Sequence, residues 1–120
     1  MSHVVTIQTK VHDPAAVVAA CQRLNLPAPV SGTTRLYSGE AAGLIVQLPG
    51  WQYPVVIDTL TGAVRYDNYG GVWGDGQQLD RFLQAYATEK VRLEARKKGY
   101  QISEHALQDG SIKLQIIEGA

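Results

Sequence analysis

The run Tyr66-Asp67-Asn68-Tyr69-Gly70-Gly71-Val72-Trp73-Gly74-Asp75 divides this chain into two regimes. Upstream of it, short apolar segments are punctuated by Gly and Pro. Downstream comes one long helical pattern. Ten residues hold two of the six tyrosines, one of the two tryptophans and three of the twelve glycines. Glycine admits backbone conformations that side chains disfavour, so the chain makes an irregular crossing here, from sheet into helix.

The upstream half reads as strands around one short helix. From His3 to Val11 the residues alternate, with Val5, Ile7, Thr9 and Val11 on the face assigned to the core. Asp13 and Pro14 open a helix as N-cap and first helical residue. Its stripe is Val17, Val18, Cys21 and Leu24, and it ends near Asn25, ahead of Pro27. Cys21, the only cysteine, sits on that stripe and reads as a small buried hydrophobe. Thr33–Tyr37 and Leu44–Leu48 follow as strands joined by a loose loop over residues 38–43. Pro49 and Pro54 bracket an interruption that holds Trp51 and Tyr53. Val55–Asp58 and Ala63–Tyr66 form a hairpin turning at Gly62.

The downstream half is a helix from Asp75 to Lys98, about 35 Å long at 1.5 Å per residue. Its stripe is Leu79, Phe82, Leu83 and Tyr86, widened by Ala87, with Gly99 beyond its end. Tyr100–Glu104 and Ser111–Ile117 close the chain as a hairpin turning at Asp109-Gly110, with Ile112, Leu114 and Ile116 on its buried face. The order β-α-β-β-β-β-α-β-β predicts one α+β domain over residues 1–120: a twisted, mostly antiparallel sheet with the short and the long helix packed on one face.

Composition narrows the function classes. Eleven basic and eleven acidic side chains balance, so there is no global pull towards nucleic acid or anionic lipid. A single cysteine excludes an internal disulfide. The start lacks a basic region followed by an apolar run, and no segment reaches the length of a membrane span, which predicts a cytoplasmic protein away from membranes.

Taken together, Tyr66-Asp67-Asn68-Tyr69-Gly70-Gly71, Trp73-Gly74, Leu79-Asp80, Gln84-Ala85-Tyr86-Ala87, Lys98-Gly99-Tyr100 and the opening Ser2-His3 resemble a conserved reading-frame family of unknown function. That family is encoded in some plastid genomes, in cyanobacteria and in other bacteria. The resemblance spans essentially the whole chain. Relatives tend to be encoded near an AAA-type ATPase, so the resemblance implies such a partner, and it carries over no catalytic residue.

No motif commits the chain to a chemistry. The glycine run lacks the Gly-Lys-Ser/Thr of a phosphate loop and the spacing of a dinucleotide fingerprint. His3, His12 and His105 lack metal-ligand spacing, and no cofactor is implied. Asp58, Asp67 and Asp75 would hold a divalent ion if the hairpin register brought them to one edge; turn and cap chemistry is the plainer role for all three. The ligand or interface candidates are Trp51, Tyr53, Asp67, Asn68, Tyr69, Gly70, Gly71 and Trp73, because aromatics with a polar tip suit interfaces and small pockets. Arg92, Arg96, Lys97 and Lys98 form a basic patch at the end of the long helix, which without interleaved aromatics is a weak RNA signal.

These features favour a non-enzymatic interaction module or self-assembling accessory subunit, with free strand edges offering a route to homo-oligomers. The alternative is a small-ligand or divalent-metal enzyme using the 66–75 loop with Asp67 and Asp75. The third is RNA binding through the basic helix end.

Overall fold

The computed structural model describes residues 4–117, so His3 and Ser2 lie outside the described residues. Seven strands and two helices follow in the order β1 (Val5–Gln8), α1 (Pro14–Arg23), β2 (Val30–Leu36), β3 (Gly39–Val46), β4 (Val55–Asp58), β5 (Ala63–Tyr66), α2 (Gly76–Lys97), β6 (Gln101–Ala106) and β7 (Ile112–Ile117). The α+β class expected from the element order is what forms. Five strands make an antiparallel sheet in the order β1-β5-β4-β3-β2. Strands β2 to β5 are a meander, and β1 reaches the far edge beside β5 because α1 carries the chain across the sheet.

Both helices bury their stripes on one face. Val17, Ala20 and Cys21 of α1 and Leu79, Phe82, Ala85 and Tyr86 of α2 pack with Val46, Val55, Ile57 and Val64 of the sheet. Each helix is closed at both ends by its own sequence. Asp13 accepts the Ala15 amide at 3.0 Å and Asp75 accepts the Gln77 amide at 2.9 Å. At the C-termini Asn25 and Gly99 take the left-handed conformation, φ 56° and 75°. The Leu26 amide then reaches the Cys21 carbonyl at 2.8 Å and the Tyr100 amide the Ala95 carbonyl at 2.9 Å, which consumes carbonyls the helices leave free. The two helices are also tied through Tyr86, whose hydroxyl accepts the His12 and Asp13 amides at 3.2 and 3.1 Å.

Several expectations are corrected. Of the strand expected over residues 3–11, the described residues form β1 from Val5 to Gln8, which ends because Thr9 turns the chain: its hydroxyl donates to the Gly62 carbonyl at 2.7 Å and accepts the Val11 amide at 3.1 Å. The loose loop over 38–43 is a two-residue turn, Tyr37-Ser38, since Leu36 pairs with Gly39. Ala41, Ala42 and Gly43 are strand. Gly43 is needed there: a Cβ would lie 2.3 Å from the Ile57 carbonyl oxygen of β4. On α1 Val18 is half exposed, and Ala16 and Ala20 fill the stripe instead. On α2 Ala87 is exposed, while Ala85, Thr88 and Ala95 are buried.

The last hairpin does not join the main sheet. Strands β6 and β7 pair only with each other and lie back along the second half of α2. Gln84 of α2 donates to the Gly110 carbonyl at the hairpin turn, 3.1 Å away. No residue of β6 or β7 is fully buried, and Ile116, expected on a buried face, is 51% exposed. Charge holds the ribbon in place. Glu104 of β6 pairs with Arg92 of α2 at 2.6 Å and with Arg23 at the end of α1, which also reaches Glu89 at 3.0 Å.

The Arg23 guanidinium, with Arg92 behind it, holds the Glu104 carboxyl below its ordinary value of 4.5. A carboxylate depressed in the folded chain adds stability above its unfolded value, and that stability is lost as pH falls through the lower folded value. The unfolding midpoint should therefore fall as pH drops below about 4.5, and Glu104→Gln should flatten part of that fall in thermal melts at a series of pH values. A Glu104→Gln curve parallel to that of the parent chain would remove the pair from the explanation.

Candidate functional site

The face of the sheet away from the helices carries a second, smaller apolar cluster. Leu36, Ala41 and Val56 are buried there, with Val4, Ile45 and Tyr53 packed against them. The β2–β3 turn and the 49–54 and 67–75 segments bring four rings to this cluster. Trp73 is the hub: Tyr69 lies 4.9 Å from it between ring centroids, Tyr37 5.0 Å and Tyr53 5.6 Å. Tyr37 and Tyr53 also meet edge to face at 6.4 Å. Tilted and edge contacts at these distances are the favourable ones for aromatic pairs. Yet Tyr37 is 58% exposed, Tyr69 42% and the adjoining Val72 72%.

The loop that builds this surface is wired by its own backbone. Asn68 donates from its side chain to the Gly74 carbonyl at 3.1 Å, and its carbonyl accepts the Gly71 and Trp73 amides at 3.0 and 2.9 Å. The Trp73 carbonyl accepts the Gln52 amide at 2.8 Å, which locks the loop to the 49–54 segment. Tyr69, Gly70 and Gly71 all have positive φ, at 48°, 60° and 104°. Glycine takes this conformation freely. An aromatic residue does so at a cost, and such outliers concentrate at binding surfaces.

Asp67 follows β5 directly and is 1% exposed. Its carboxylate accepts the Ser38 hydroxyl at 3.3 Å on one oxygen and the Tyr69 amide at 3.3 Å on the other. It thus bridges the turn that carries Tyr37 and the turn that carries Tyr69. Both contacts are long, both donors are neutral, and among the described residues no cation pairs with it.

Of the residues picked out in the sequence, Tyr53, Asp67, Asn68, Tyr69, Gly70, Gly71 and Trp73 come together here. Trp51 does not. It is buried on the helix side of the sheet, with its indole nitrogen donating to the Asp75 carbonyl at 3.0 Å and its ring against Tyr66 at 5.6 Å. Tyr37 was missed: it stands some thirty residues upstream, in a segment read as the end of an ordinary strand, and only the tight β2–β3 turn projects it onto Trp73.

The divalent-ion arrangement does not form. Asp58 accepts the Leu60 amide in the β4–β5 turn, Asp75 caps α2, and among the described residues no group of three potential ligands converges. The basic patch is split. Arg92 is spent on Glu104 and Lys97 reaches Glu94 at 3.5 Å, which leaves Arg96 and Lys98 outside any ion pair among the described residues. Cys21 is buried in the core and its thiol is pushed up by that burial, away from the reactive thiolate. Among the described residues no helix is long and apolar enough to cross a membrane. Comparison with protein-family models, with curated proteins and with solved structures finds no match to this chain.

Proposed function

We propose that this chain is a non-enzymatic interaction module, a cytoplasmic accessory subunit that docks through its helix-free aromatic face onto a larger partner or onto itself. One observation carries the reading: three tyrosines from three segments gather on Trp73, with Tyr37, Tyr69 and Val72 open to solvent and the Trp73 loop tied by its own hydrogen bonds. Rigid aromatics bury a large area at small entropic cost, and interface hot spots are enriched in Tyr and Trp. The family resemblance adds an AAA-type ATPase as the partner to try first. Edge strands β1 and β2 of the main sheet, and both edges of the β6–β7 ribbon, offer self-association as the second mode.

The test is light scattering and co-elution of the purified chain, alone and with an AAA-type ATPase encoded beside it. The parent chain should self-associate or co-elute, and Tyr37→Ala with Tyr69→Ala should weaken that association by about tenfold or more. Both side chains are largely exposed, so thermal melts of the double variant should stay close to those of the parent. A parent chain that remains monomeric and captures no ATPase defeats the proposal.

A further inference from the structure

The aromatic face has a chemistry more specific than its apolarity. We infer that it receives a cationic side chain, a lysine or arginine presented by the partner, between Tyr37 and Tyr69 and over Trp73, with the Asp67 carboxylate as the buried counter-charge. This rests on the interaction surface proposed above and names what the partner must offer there.

Three observations converge. The first is the unmet capacity of Asp67. An ionised carboxylate accepts at about four lone-pair sites. Asp67 has two long contacts from neutral donors and is shielded from water. Arg65 stands two positions earlier, on β5, yet makes no ion pair with it. The second is the ring arrangement. Cations sit over aromatic faces, over Trp best of all, and gain most where water is excluded. Tyr37 and Tyr69 flank Trp73 at 5.0 and 4.9 Å while each keeps a large part of its surface free. The Asp67 carboxylate lies between the two turns that carry them. The third is charge. The segments that carry the rings, 37–38, 52–54 and 67–74, hold one carboxylate, Asp67, and no basic side chain.

Other occupants fit worse. A wholly apolar partner would remove the solvent above the face without supplying Asp67 a counter-charge, and an uncompensated buried charge is costly. An anionic partner would set like charge over the Asp67 carboxylate. A cation compensates Asp67 and uses the rings at once.

The experiment measures anisotropy of a fluorescein-labelled hexa-arginine peptide at near-physiological salt, against the matching hexa-citrulline peptide, which keeps nearly the same shape and carries no charge on its side chains. The arginine peptide should bind about tenfold tighter than the citrulline one. Asp67→Asn should remove most of that preference, and so should Tyr37→Leu, which alters an exposed residue and leaves folding intact. Asp80→Asn, which removes an exposed carboxylate on α2, should change nothing, and this separates a built site from diffuse attraction between opposite charges. Equal binding of the two peptides overturns the inference, as does a preference that survives Asp67→Asn and Tyr37→Leu or falls equally with Asp80→Asn. If the peptides bind equally while Tyr37→Ala with Tyr69→Ala still abolishes partner capture, the interaction surface stands and its cationic occupant falls. If the parent chain self-associates and Lys98→Glu abolishes that, the occupant is a second copy, and the separate partner is overturned.

Discussion

Gly74→Ala should lower the free energy of unfolding by about 2–4 kcal/mol, a large fraction of the stability of a chain this size. The cause is steric. A Cβ at position 74 would stand 2.4 Å from Cδ2 of Trp51 and 2.6 Å from Cε2 and Cγ, so the whole indole would have to move. The ring has nowhere to go without loss: it is buried, it donates to the Asp75 carbonyl, and its edge contact with Tyr66 is already close. Gly76, two residues on, is the control. It is the first residue of α2, it faces open space, and Gly76→Ala should be neutral or should stabilise by up to about 1 kcal/mol through helix propensity. Urea unfolding of both variants reads the difference as a shift of midpoint at constant slope. Equal destabilisation by both would mean that the Trp51 contact is not what makes Gly74 necessary.

Gly62→Ala should cost about 2–4 kcal/mol for two reasons that add. The residue has φ +80°, and a Cβ there would meet the Thr9 carbonyl oxygen at 2.2 Å. That nearest atom is backbone and cannot swing away, and the His12 and Gln8 side chains crowd the same space at 3.0 and 3.1 Å. The Gly62 amide donates to Asp58 at 2.7 Å and its carbonyl accepts from the Thr9 amide at 2.9 Å, which fixes both the β4–β5 turn and the exit from β1. Gly70 isolates the first reason from the second. It has φ +60° with nothing within 4 Å of a Cβ, so Gly70→Ala should cost only about 1 kcal/mol. If the two substitutions cost the same in urea titrations, the Thr9 contact contributes nothing.

How far the sequence reaches can be judged from particular residues. The helices were legible because their ends are local chemistry: Asp13-Pro14, Asp75, Asn25 and Gly99 satisfy backbone groups a few residues away. The β4–β5 hairpin was legible for the same reason. The β2–β3 turn was not. Ala41-Ala42-Gly43 has low strand propensity, and Gly43 is explained only by the Ile57 carbonyl on the neighbouring strand. The same limit applies to the site. Tyr53, Tyr69 and Trp73 could be chosen as aromatics in irregular segments, but Trp51 satisfies the same description and is buried. What separates it is the sheet between them, a non-local fact. Tyr37 needs the β2–β3 register before it can be placed at all. The separate β6–β7 ribbon was hidden likewise, since alternation in a sequence says that a strand has two faces and not which sheet it enters.

That ribbon has a consequence for motion. Two strands alone are barely stable in water, and here none of their residues is fully buried. A cavity of about 200 Å³ lies between the ribbon and α2, lined by Lys90, Val91, Glu94, Ala95, Lys98, Tyr100 and Ile116. The hold rests mainly on Glu104 and its two arginines, with Gln84 at the turn. Such a unit opens sub-globally, at a lower free energy than the sheet whose centre is β4. Amides of 101–117 should exchange with solvent well ahead of those of Val55–Ile57, and each opening uncovers the side of α2 around Val91 and Ala95. That order of exchange would define a low-lying excited form that differs from the native one by a single detachable ribbon.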